Sequence, residues 1–311
     1  MSDELKDNAA KEASFGAFLT RQLMKSVPAV TGNLDGKVAI VTGANVGLGL
    51  ACARQLLSLQ LSHLILAVRS LRKGEAAALE LQASFPHARV EVWALEMESY
   101  ASIQAFVSRC HSELGRVDIA ILNAGLALKR FQTCTNPQTT PREITLQVNF
   151  LSTVFLALLL LPILGAKKEK KDAVFIPGRL TLVGSDTVYW VNARELKSRP
   201  LLQAANSSEG FDGFEQYKMS KLFVLMFVAK LARDLVSPDQ VIVNVACPGL
   251  CKGTAFVREP DSNWAKQAIV SSLIRLVGRT PEQGARVYLA AAILQGPKSH
   301  GSMISEGDIL P

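Results

Sequence analysis

Short apolar segments alternate with helical ones along this chain, and the alternation constrains the fold more than any other feature. The apolar segments have the length and β-branched composition of buried strands: "GKVAIVTG" (36–43), "HLILAV" (63–68), "ARVEVWAL" (88–95), "VDIAIL" (117–122), "RLTLVGS" (179–185) and "QVIVNVA" (240–246). Between them the pattern is helical, at 71–84, 99–114, 141–166 and 214–235. Strands joined through helices lie parallel, with right-handed crossovers. The sequence therefore predicts an α/β fold with a doubly wound parallel sheet.

Length and composition favour one large domain behind a polar N-terminal segment. The chain has 311 residues, of which 49% are hydrophobic, enough for a deep core. We expect an N-terminal extension over residues 1–35 and a single domain over 36–311. Long loops interrupt the alternation at 126–140, 186–213 and 250–279. Each follows the carboxyl end of a strand, where open α/β sheets bind ligands, so we expect these loops to form the substrate site.

Charge and cysteine content narrow the function classes. The net charge of +7 is dispersed, and its densest run, "KKEKK" at 167–171, has the composition of a solvated loop. Without a basic stripe interleaved with aromatic residues, nucleic-acid binding is disfavoured, whereas an anionic small molecule suits the charge. The 5 cysteines and 4 histidines lack the spacing of a disulfide framework or a zinc site. We expect reduced cysteines, no metal and a cytoplasmic location.

Two apolar segments raise the question of membrane contact. The run "FLALLLLPILGA" from Phe155 is too short to span a bilayer and contains Pro162, so we interpret it as a buried helix. No signal peptide is visible. The segment "SFGAFLTRQLM" (14–24) is amphipathic, with Phe15, Phe18, Leu19 and Leu23 on one side. Docking on a membrane surface would use that side, but packing against the main domain or a partner subunit is favoured, and we predict no stable membrane insertion.

The turn after the first strand predicts a phosphate-binding loop. It reads "TGANVGLG", with glycines at 43, 47 and 49. A glycine-rich turn at the start of a helix lets backbone N–H groups approach a pyrophosphate. The spacing is GxxxGxG rather than GxGxxG, and only its place at the first strand–helix junction makes the signal specific. We expect a dinucleotide to contact Gly43, Asn45, Val46, Gly47, Leu48 and Gly49.

The end of the second strand predicts the choice of dinucleotide. Enzymes that use NAD carry an acidic residue about twenty residues after the glycines. Here the sequence is "LAVRSLRK", with Arg69 at the strand end and Lys73 behind it, and we expect that no carboxylate is available to repel a 2′-phosphate. A guanidinium can bind that phosphate through two hydrogen bonds. The sequence therefore predicts NADP(H), the alternative being that Arg69 is an ordinary surface residue.

Further short motifs follow in a fixed order. They are "LNAG" (122–125), "QVNFLST" (147–153), "LVGS" (182–185), the Tyr217–Lys221 pair in "YKMSK", and "CPG" (247–249). In this order the chain resembles the short-chain dehydrogenase/reductase superfamily, over roughly residues 36–308. The segments "TGANVGLGL", "LAVRS", "PGLCKGTAF" and "GRTPEQGAR" look like the fungal secondary-metabolism branch of that superfamily. The resemblance implies a Rossmann-type domain and an NADP-dependent oxidoreductase.

The resemblance also implies roles for individual residues. Tyr217 would be the general acid in reduction and the base in oxidation. A phenol titrates near about 10, so a neighbouring ammonium, Lys221, would lower its pKa and also reach the nicotinamide ribose. Ser185 would donate to the substrate carbonyl, with Thr187 as a rival. Asn149 would hold a water in a proton relay to Lys221, unless it merely satisfies backbone groups at a helix irregularity.

On the cofactor side, the resemblance implies that Asn123, Ala124 and Gly125 shape the adenine-ribose part of the cleft and that Pro248 and Gly249, at the end of the sixth strand, bind the cofactor. Two features depart from the family pattern. The residue after the third strand that is usually Asp is Glu96, so its contact near the adenine is in doubt. The gap between Ser185 and Tyr217 is also unusually long.

The long gap predicts the kind of substrate. Tyr189 and Trp190 would lie near Ser185, and Phe256 and Trp264 of the 250–279 loop would complete an apolar lid. We therefore expect a bulky, partly hydrophobic carbonyl or alcohol, such as a polyketide- or terpenoid-like intermediate. Two other classes remain open: a non-redox enzyme on the same scaffold (epimerase, dehydratase or cyclase) and an NADP-sensing binding protein.

Oligomeric state is open as well. The apolar helical stretches at 151–165 and 222–231 are compatible with the four-helix interface frequent in this superfamily, giving a homodimer or tetramer. Core burial explains their composition equally well, and the N-terminal extension could obstruct such an interface.

Overall fold

A computed structural model describes residues 10–134, 141–164, 176–192, 200–253, 272 and 274–310. Its centre is an 8-stranded sheet with the order β3-β2-β1-β4-β5-β6-β7-β8. The strands are β1 (Val38–Thr42), β2 (His63–Val68), β3 (Arg89–Ala94), β4 (Ile119–Leu122), β5 (Gly178–Val183), β6 (Val241–Ala246), β7 (Met303–Ser305) and β8 (Asp308–Leu310). All neighbouring pairs are parallel except the antiparallel β7–β8. The predicted doubly wound parallel sheet is confirmed.

Helices cover both faces of this sheet. They are α1 (Phe15–Met24), α2 (Gly47–Ser58), α3 (Leu71–Ser84), α4 (Tyr100–Glu113), α5 (Ile144–Leu164), α6 (Leu201–Ala204), α7 (Gly213–Asp234) and α8 (Pro281–Leu289). The side chains of β1 alternate between two cores. Ala39 and Val41 pack with α2, α3 and α8, while Ile40 faces the side of α4, α5 and α7.

Local sequence explains where several helices begin. Asp212 caps α7 by accepting from the backbone N–H of Phe214 and Glu215 at 2.8 and 2.9 Å. Thr280 caps α8 in a capping box with Gln283, and Pro281 occupies its first turn. These caps matter for the site because α7 carries Tyr217 and Lys221, and the cap fixes the start of that helix a few residues before Tyr217.

Helix α5 corrects one argument made from the sequence. It runs from Ile144 to Leu164, which is long and apolar enough to cross a membrane, so the prediction that this region is too short was wrong. Its interpretation as a buried helix is still correct, because 61% of its most apolar 18-residue segment is buried within the fold. The helix is therefore part of the core.

Helix α1 packs on the body of the protein, but only part of the apolar side that was predicted to pack takes part. Its buried residues are Arg21 and Gln22, while Phe15 and Leu23 are 64% and 59% exposed. Gln22 donates to the carbonyl oxygens of Leu250 and Val277, both at 2.9 Å, and accepts from the backbone N–H of Leu250 at 3.0 Å. The hydrogen bonds of Gln22 and the packing of Phe18 on Trp190, at a ring separation of 5.4 Å, together attach α1.

The short C-terminal hairpin of β7 and β8 was not predicted. Each of its strands has only three residues, which is too short to show alternation in the sequence. The basic run at 167–171 lies outside the described residues.

Candidate active site

The carboxyl ends of β1, β2, β4, β5 and β6 open into one cleft of about 560 Å³. The sheet order reverses between β1 and β4, so the cleft lies at the point where open α/β sheets bind ligands. Every residue predicted to be catalytic or to bind the cofactor lines this cleft, with the exception of Asn149. Residues distant in the sequence are therefore brought together as expected.

The glycine-rich turn presents main chain to the cleft. Gly43 and Gly47 have φ values of 65° and 57°, which glycine adopts without strain. At Gly49, an added Cβ would lie 2.5 Å from the Gly43 carbonyl oxygen and 2.6 Å from Asn123 Nδ2. Helix α2 follows directly, and Val46 at its N-cap position makes no side-chain cap. Its first N–H groups therefore remain available for an anionic group.

Asn123 fixes the neighbouring part of the cleft. Its Nδ2 donates to the carbonyl oxygen of Thr42 at 2.9 Å, and the Thr42 hydroxyl accepts from the N–H of Ala124 at 2.8 Å. Tyr288 of α8, which is fully buried, donates from its hydroxyl to Asn123 Oδ1 at 3.1 Å. Tyr288 also lines the cleft and was missed, because nothing in the local sequence links a residue of the last long helix to the "LNAG" motif.

Arg69 lies at the far end of the cleft with Ser70 and Lys73. Helix α3 starts there, with no side-chain cap from Ser70 and no acidic residue in its first turn. The prediction that no carboxylate is available at this end was wrong, however. Glu96 Oε2 lies 3.7 Å from Arg69 Nε, and Glu98 Oε1 lies 3.6 Å from Arg69 Nη1. The loop after β3 supplies both carboxylates, and it adjoins Arg69 because β2 and β3 are paired.

Glu96 is also engaged by its own loop. Its backbone N–H donates to the Ser102 hydroxyl at 2.9 Å, and its Oε1 accepts from the N–H of Glu98 at 3.2 Å. Its carboxylate therefore lines the cleft while it closes a short turn and pairs with Arg69.

Ser185, Tyr217 and Lys221 converge in the middle of the cleft. Ser185 lies two residues after the end of β5, and its hydroxyl is hydrogen-bonded to that of Tyr217. Thr187, the predicted rival, instead donates to Ser185 Oγ from both its hydroxyl (3.0 Å) and its N–H (3.3 Å). Lys221 Nζ donates to the carbonyl oxygen of Val183 at 2.7 Å and lies 5.9 Å from the centre of the Tyr217 ring.

The electrostatics of this group differ from the expectation. Burial raises the pKa of the Tyr217 hydroxyl, and the hydrogen bond from Ser185 opposes that rise without overcoming it. Burial lowers the pKa of Lys221 to about 8. The predicted depression of the phenol pKa by Lys221 is therefore not found. Both groups have lost water, and desolvation disfavours the phenolate and the ammonium alike.

Asn149 lies behind the cleft, in a π-helical turn of α5 at Gln147–Ser152. Its Oδ1 accepts from the N–H of Leu126 at 2.9 Å, and its Nδ2 donates to the Leu126 carbonyl at 2.8 Å and to Ser220 Oγ at 3.0 Å. This is the backbone-satisfying arrangement considered as an alternative. Asn149 still adjoins the cleft, because an added Cβ on Gly125 would lie 3.2 Å from its Oδ1 and 3.5 Å from Lys221 Nζ.

A buried arginine supports the "CPG" turn and was also missed. Arg279 donates to the Pro248 carbonyl at 3.1 Å and to the Arg21 carbonyl at 2.7 Å. It also pairs with Glu306 at 2.6 Å, and both side chains are buried, at 6% and 3% exposure. Arg279 thus joins the cleft turn, helix α1 and the C-terminal hairpin.

The predicted apolar lid is only partly described. Trp190 lies in a 3₁₀ turn, Asp186–Trp190, and lines the cleft. Tyr189 does not line it and packs against the core instead. Phe256 and Trp264 lie outside the described residues.

Comparisons with known proteins agree with this architecture. Residues 37–187 match the family model described as short chain dehydrogenase. The chain is 46% identical over 312 residues to the short chain dehydrogenase virL of Hypocrea virens, covering 100% of this chain and 88% of that protein. It is 43% identical over 279 residues to the short chain dehydrogenase/reductase mfmJ of Annulohypoxylon moriforme, covering 90% and 78%.

Among solved structures, the NADPH-dependent 3-quinuclidinone reductase from Rhodotorula rubra has the same fold. Its TM-score is 0.62 at 22% sequence identity, and the match covers 92% of this chain and 98% of that chain.

Proposed function

The chain belongs to the short-chain dehydrogenase/reductase family, and from this premise we propose that it is an NADP(H)-dependent ketoreductase acting on a bulky, partly apolar intermediate of secondary metabolism. The observation that carries this proposal is the meeting of Ser185, Tyr217 and Lys221 in the cleft that also contains the glycine-rich turn. The two relatives, virL and mfmJ, are fungal proteins, which agrees with the resemblance of the sequence to the fungal branch of the family.

The residues of the cleft fit a nicotinamide dinucleotide. The uncapped N-terminus of α2 suits a pyrophosphate, and the glycines of the turn let it approach the main chain. Arg69, Lys73 and the uncapped start of α3 suit a 2′-phosphate at the other end. When bound, the dinucleotide supplies the hydride that a ketone carbon accepts.

Protonation of the carbonyl oxygen falls to Tyr217. Because burial raises its pKa, Tyr217 stays protonated at neutral pH and can donate a proton. The Ser185 hydroxyl, which donates to Tyr217 in the free cleft, would turn its proton to the same oxygen, which gains charge as the carbon gains hydride. The carbonyl thus becomes a secondary alcohol, and Tyr217 is left as a phenolate that must recover its proton.

The preference for the 2′-phosphate rests on competition at Arg69. Glu96 and Glu98 lie 3.7 and 3.6 Å from its guanidinium, on a side chain that is 54% exposed. Such solvent-exposed pairs are weak, so a doubly charged phosphate can replace them. We therefore propose NADP(H) rather than NAD(H), with the two carboxylates moderating the preference.

The test is turnover of a panel of ketones with NADPH and with NADH, followed by loss of reduced-dinucleotide absorbance. We expect NADPH oxidation with large apolar ketones. Tight NADPH binding without turnover of any ketone or alcohol would favour a sensing role. Conversion of a ketone-free substrate without a change in dinucleotide absorbance would favour a non-redox enzyme.

Members of this family commonly assemble, and we propose a homodimer or tetramer that uses the outward faces of α5 and α7. Leu158 of α5 and Met226 of α7 are 40% and 51% exposed. Light scattering of the full chain tests this, and a monomer at all concentrations would contradict it.

A further inference from the structure

The docked N-terminal helix contributes to the cleft itself. We propose that α1 supplies a wall of the substrate site and that Phe18, with Trp190 and Phe214, selects an aromatic or polycyclic ketone. This inference rests on the proposed ketoreductase function and assigns its substrate class. All three side chains line the cleft, although they come from α1, the 3₁₀ turn after β5, and α7.

Their position places them at the substrate end. Arg69 follows β2 and Ser185 follows β5, and the sheet order puts three strand spacings, about 14 Å, between them. Trp190 ends the turn that starts directly after Ser185, and Phe214 lies one helical turn before Tyr217. The aromatic wall therefore lies beyond the proton donor, at the end of the cleft away from Arg69.

The wall is held in place by hydrogen bonds from three elements. The indole N–H of Trp190 donates to the Ala13 carbonyl at 2.9 Å, just before α1. The Trp190 carbonyl accepts from Lys218 Nζ of α7 at 2.8 Å, and this ammonium lies 5.1 Å from the centre of the Phe214 ring. Phe18 packs on Trp190 with a ring separation of 5.4 Å in an edge arrangement. The aromatic surfaces are thus fixed before any ligand arrives.

The aromatic wall presents apolar ring surface to a ligand rather than hydrogen-bonding groups. The indole N–H of Trp190 already donates to the Ala13 carbonyl, and the Lys218 ammonium already donates to the Trp190 carbonyl and to Glu215. Phe214 remains 57% exposed. Exposed aromatic faces beside a cleft gain free energy when an apolar ligand covers them, whereas they leave sugar hydroxyls without partners. A flat apolar ketone fits this chemistry and a polyol does not.

Helix α1 provides a matched pair of variants for the test. Phe15 and Phe18 both contact Trp190, at ring separations of 6.2 and 5.4 Å, but only Phe18 lines the cleft. For Phe18→Ala we expect kcat/KM for 2-acetonaphthone to fall about tenfold, the loss of one partly buried aromatic contact. Acetone reduction and NADPH affinity should stay within about twofold, and Phe15→Ala should change all three by less than about twofold.

Several results would overturn the proposal. Equal losses of kcat/KM for 2-acetonaphthone in Phe15→Ala and Phe18→Ala would mean that these rings only anchor α1. Equal losses of kcat/KM for 2-acetonaphthone and acetone in Phe18→Ala would mean that Phe18 does not select between ketones. Calorimetric titration of 2-acetonaphthone separates this proposal from the proposed function. If the ketone binds the wild type, binds Phe18→Ala more weakly and is never reduced, the wall stands and the ketoreductase assignment fails. If the wild type neither binds nor reduces it, the wall proposal is wrong.

Discussion

The two ends of the cleft are built in different ways. The dinucleotide end rests mainly on main chain, from the stretch Gly43 to Gly49 and the start of the helix that follows it, with the Arg69 side chain at its outer edge. The substrate end is formed by side chains from distant segments, such as Phe18 of α1 and Trp190, whose indole N–H donates to the Ala13 carbonyl. Main-chain recognition depends on backbone shape and leaves little room for change. A wall of side chains can be altered residue by residue, so specificity can vary there without disturbing the cofactor site.

The largest expected effect lies where the two ends meet. Tyr217→Phe removes the proton donor and should lower kcat by about 10²- to 10⁴-fold, because that is the usual contribution of general acid catalysis. NADPH affinity, measured by fluorescence titration, should stay nearly unchanged. Tyr189→Phe is the control, since Tyr189 packs against the core and does not line the cleft. Substantial turnover by Tyr217→Phe would remove this residue from its role.

The next effect concerns the dinucleotide end alone. Arg69→Glu should weaken NADPH binding by roughly 100-fold, because it replaces a charge-assisted contact with repulsion, and should leave NADH binding within about threefold. Arg72→Glu is the matched control, as Arg72 lies only three residues further on, in the first turn of α3, but does not line the cleft. Calorimetry with both dinucleotides measures the difference. Similar losses for NADPH and NADH would refute the 2′-phosphate assignment.

A pair of glycine substitutions compares the two ends directly. Gly49→Ala should lower the free energy of unfolding by about 1–3 kcal/mol, because its Cβ would meet the Gly43 carbonyl oxygen at 2.5 Å. In Gly16→Ala of α1, the added Cβ would have no neighbour closer than the Ser14 hydroxyl at 4.0 Å. This substitution should raise the free energy of unfolding by about 0.5–1 kcal/mol. Urea unfolding followed by circular dichroism measures both. A destabilised Gly16→Ala would show that α1 is as constrained as the glycine turn.

The smallest effect is a pH dependence. Because burial lowers the pKa of Lys221 to about 8, this amine becomes neutral above that pH, whereas Tyr217 with its raised pKa stays protonated. Ketone reduction should therefore fall several-fold as pH rises through about 8, if the ammonium takes part. The pH profile of kcat/KM measures this limb. In Lys221→Arg the guanidinium keeps its charge in this pH range, so the fall in kcat/KM above about pH 8 should disappear. If that fall is unchanged in the variant, it is caused by the titration of another group.

The dinucleotide end was largely predictable from the sequence, since its signals are local. The glycine turn, Arg69 and the one-turn spacing of Tyr217 and Lys221 each lie within a short stretch, and the structure brings them to one cleft. The predictions that failed depended on residues that are close in space but distant in the sequence. Glu96 and Glu98 reach Arg69 only because β2 and β3 pair, and no local pattern reveals that contact.

The substrate end was predictable only in its aromatic character. Trp190 was correctly expected to lie near Ser185, but the place of Phe18 in the cleft was not foreseen, because its side of α1 was expected to pack against the body of the protein rather than to line the site. The helix is also attached through Gln22 and the carbonyl of Arg21, which Arg279 binds. Polar contacts of this kind leave no periodicity in the sequence. The prediction of a lowered pKa for the Tyr217 phenol failed for a related reason, since burial is a property of the whole fold.

Trp190 gives the substrate end a built-in optical reporter. Its indole N–H is held by the Ala13 carbonyl and its ring packs on Phe18, so release of the helix would expose the indole to water and move its emission to longer wavelength. Trp93, at 1% exposure beneath Arg109, would keep its emission. In a chain carrying Trp264→Phe, the colour of the emitted light would therefore follow the docking of the helix in real time, with no dye attached.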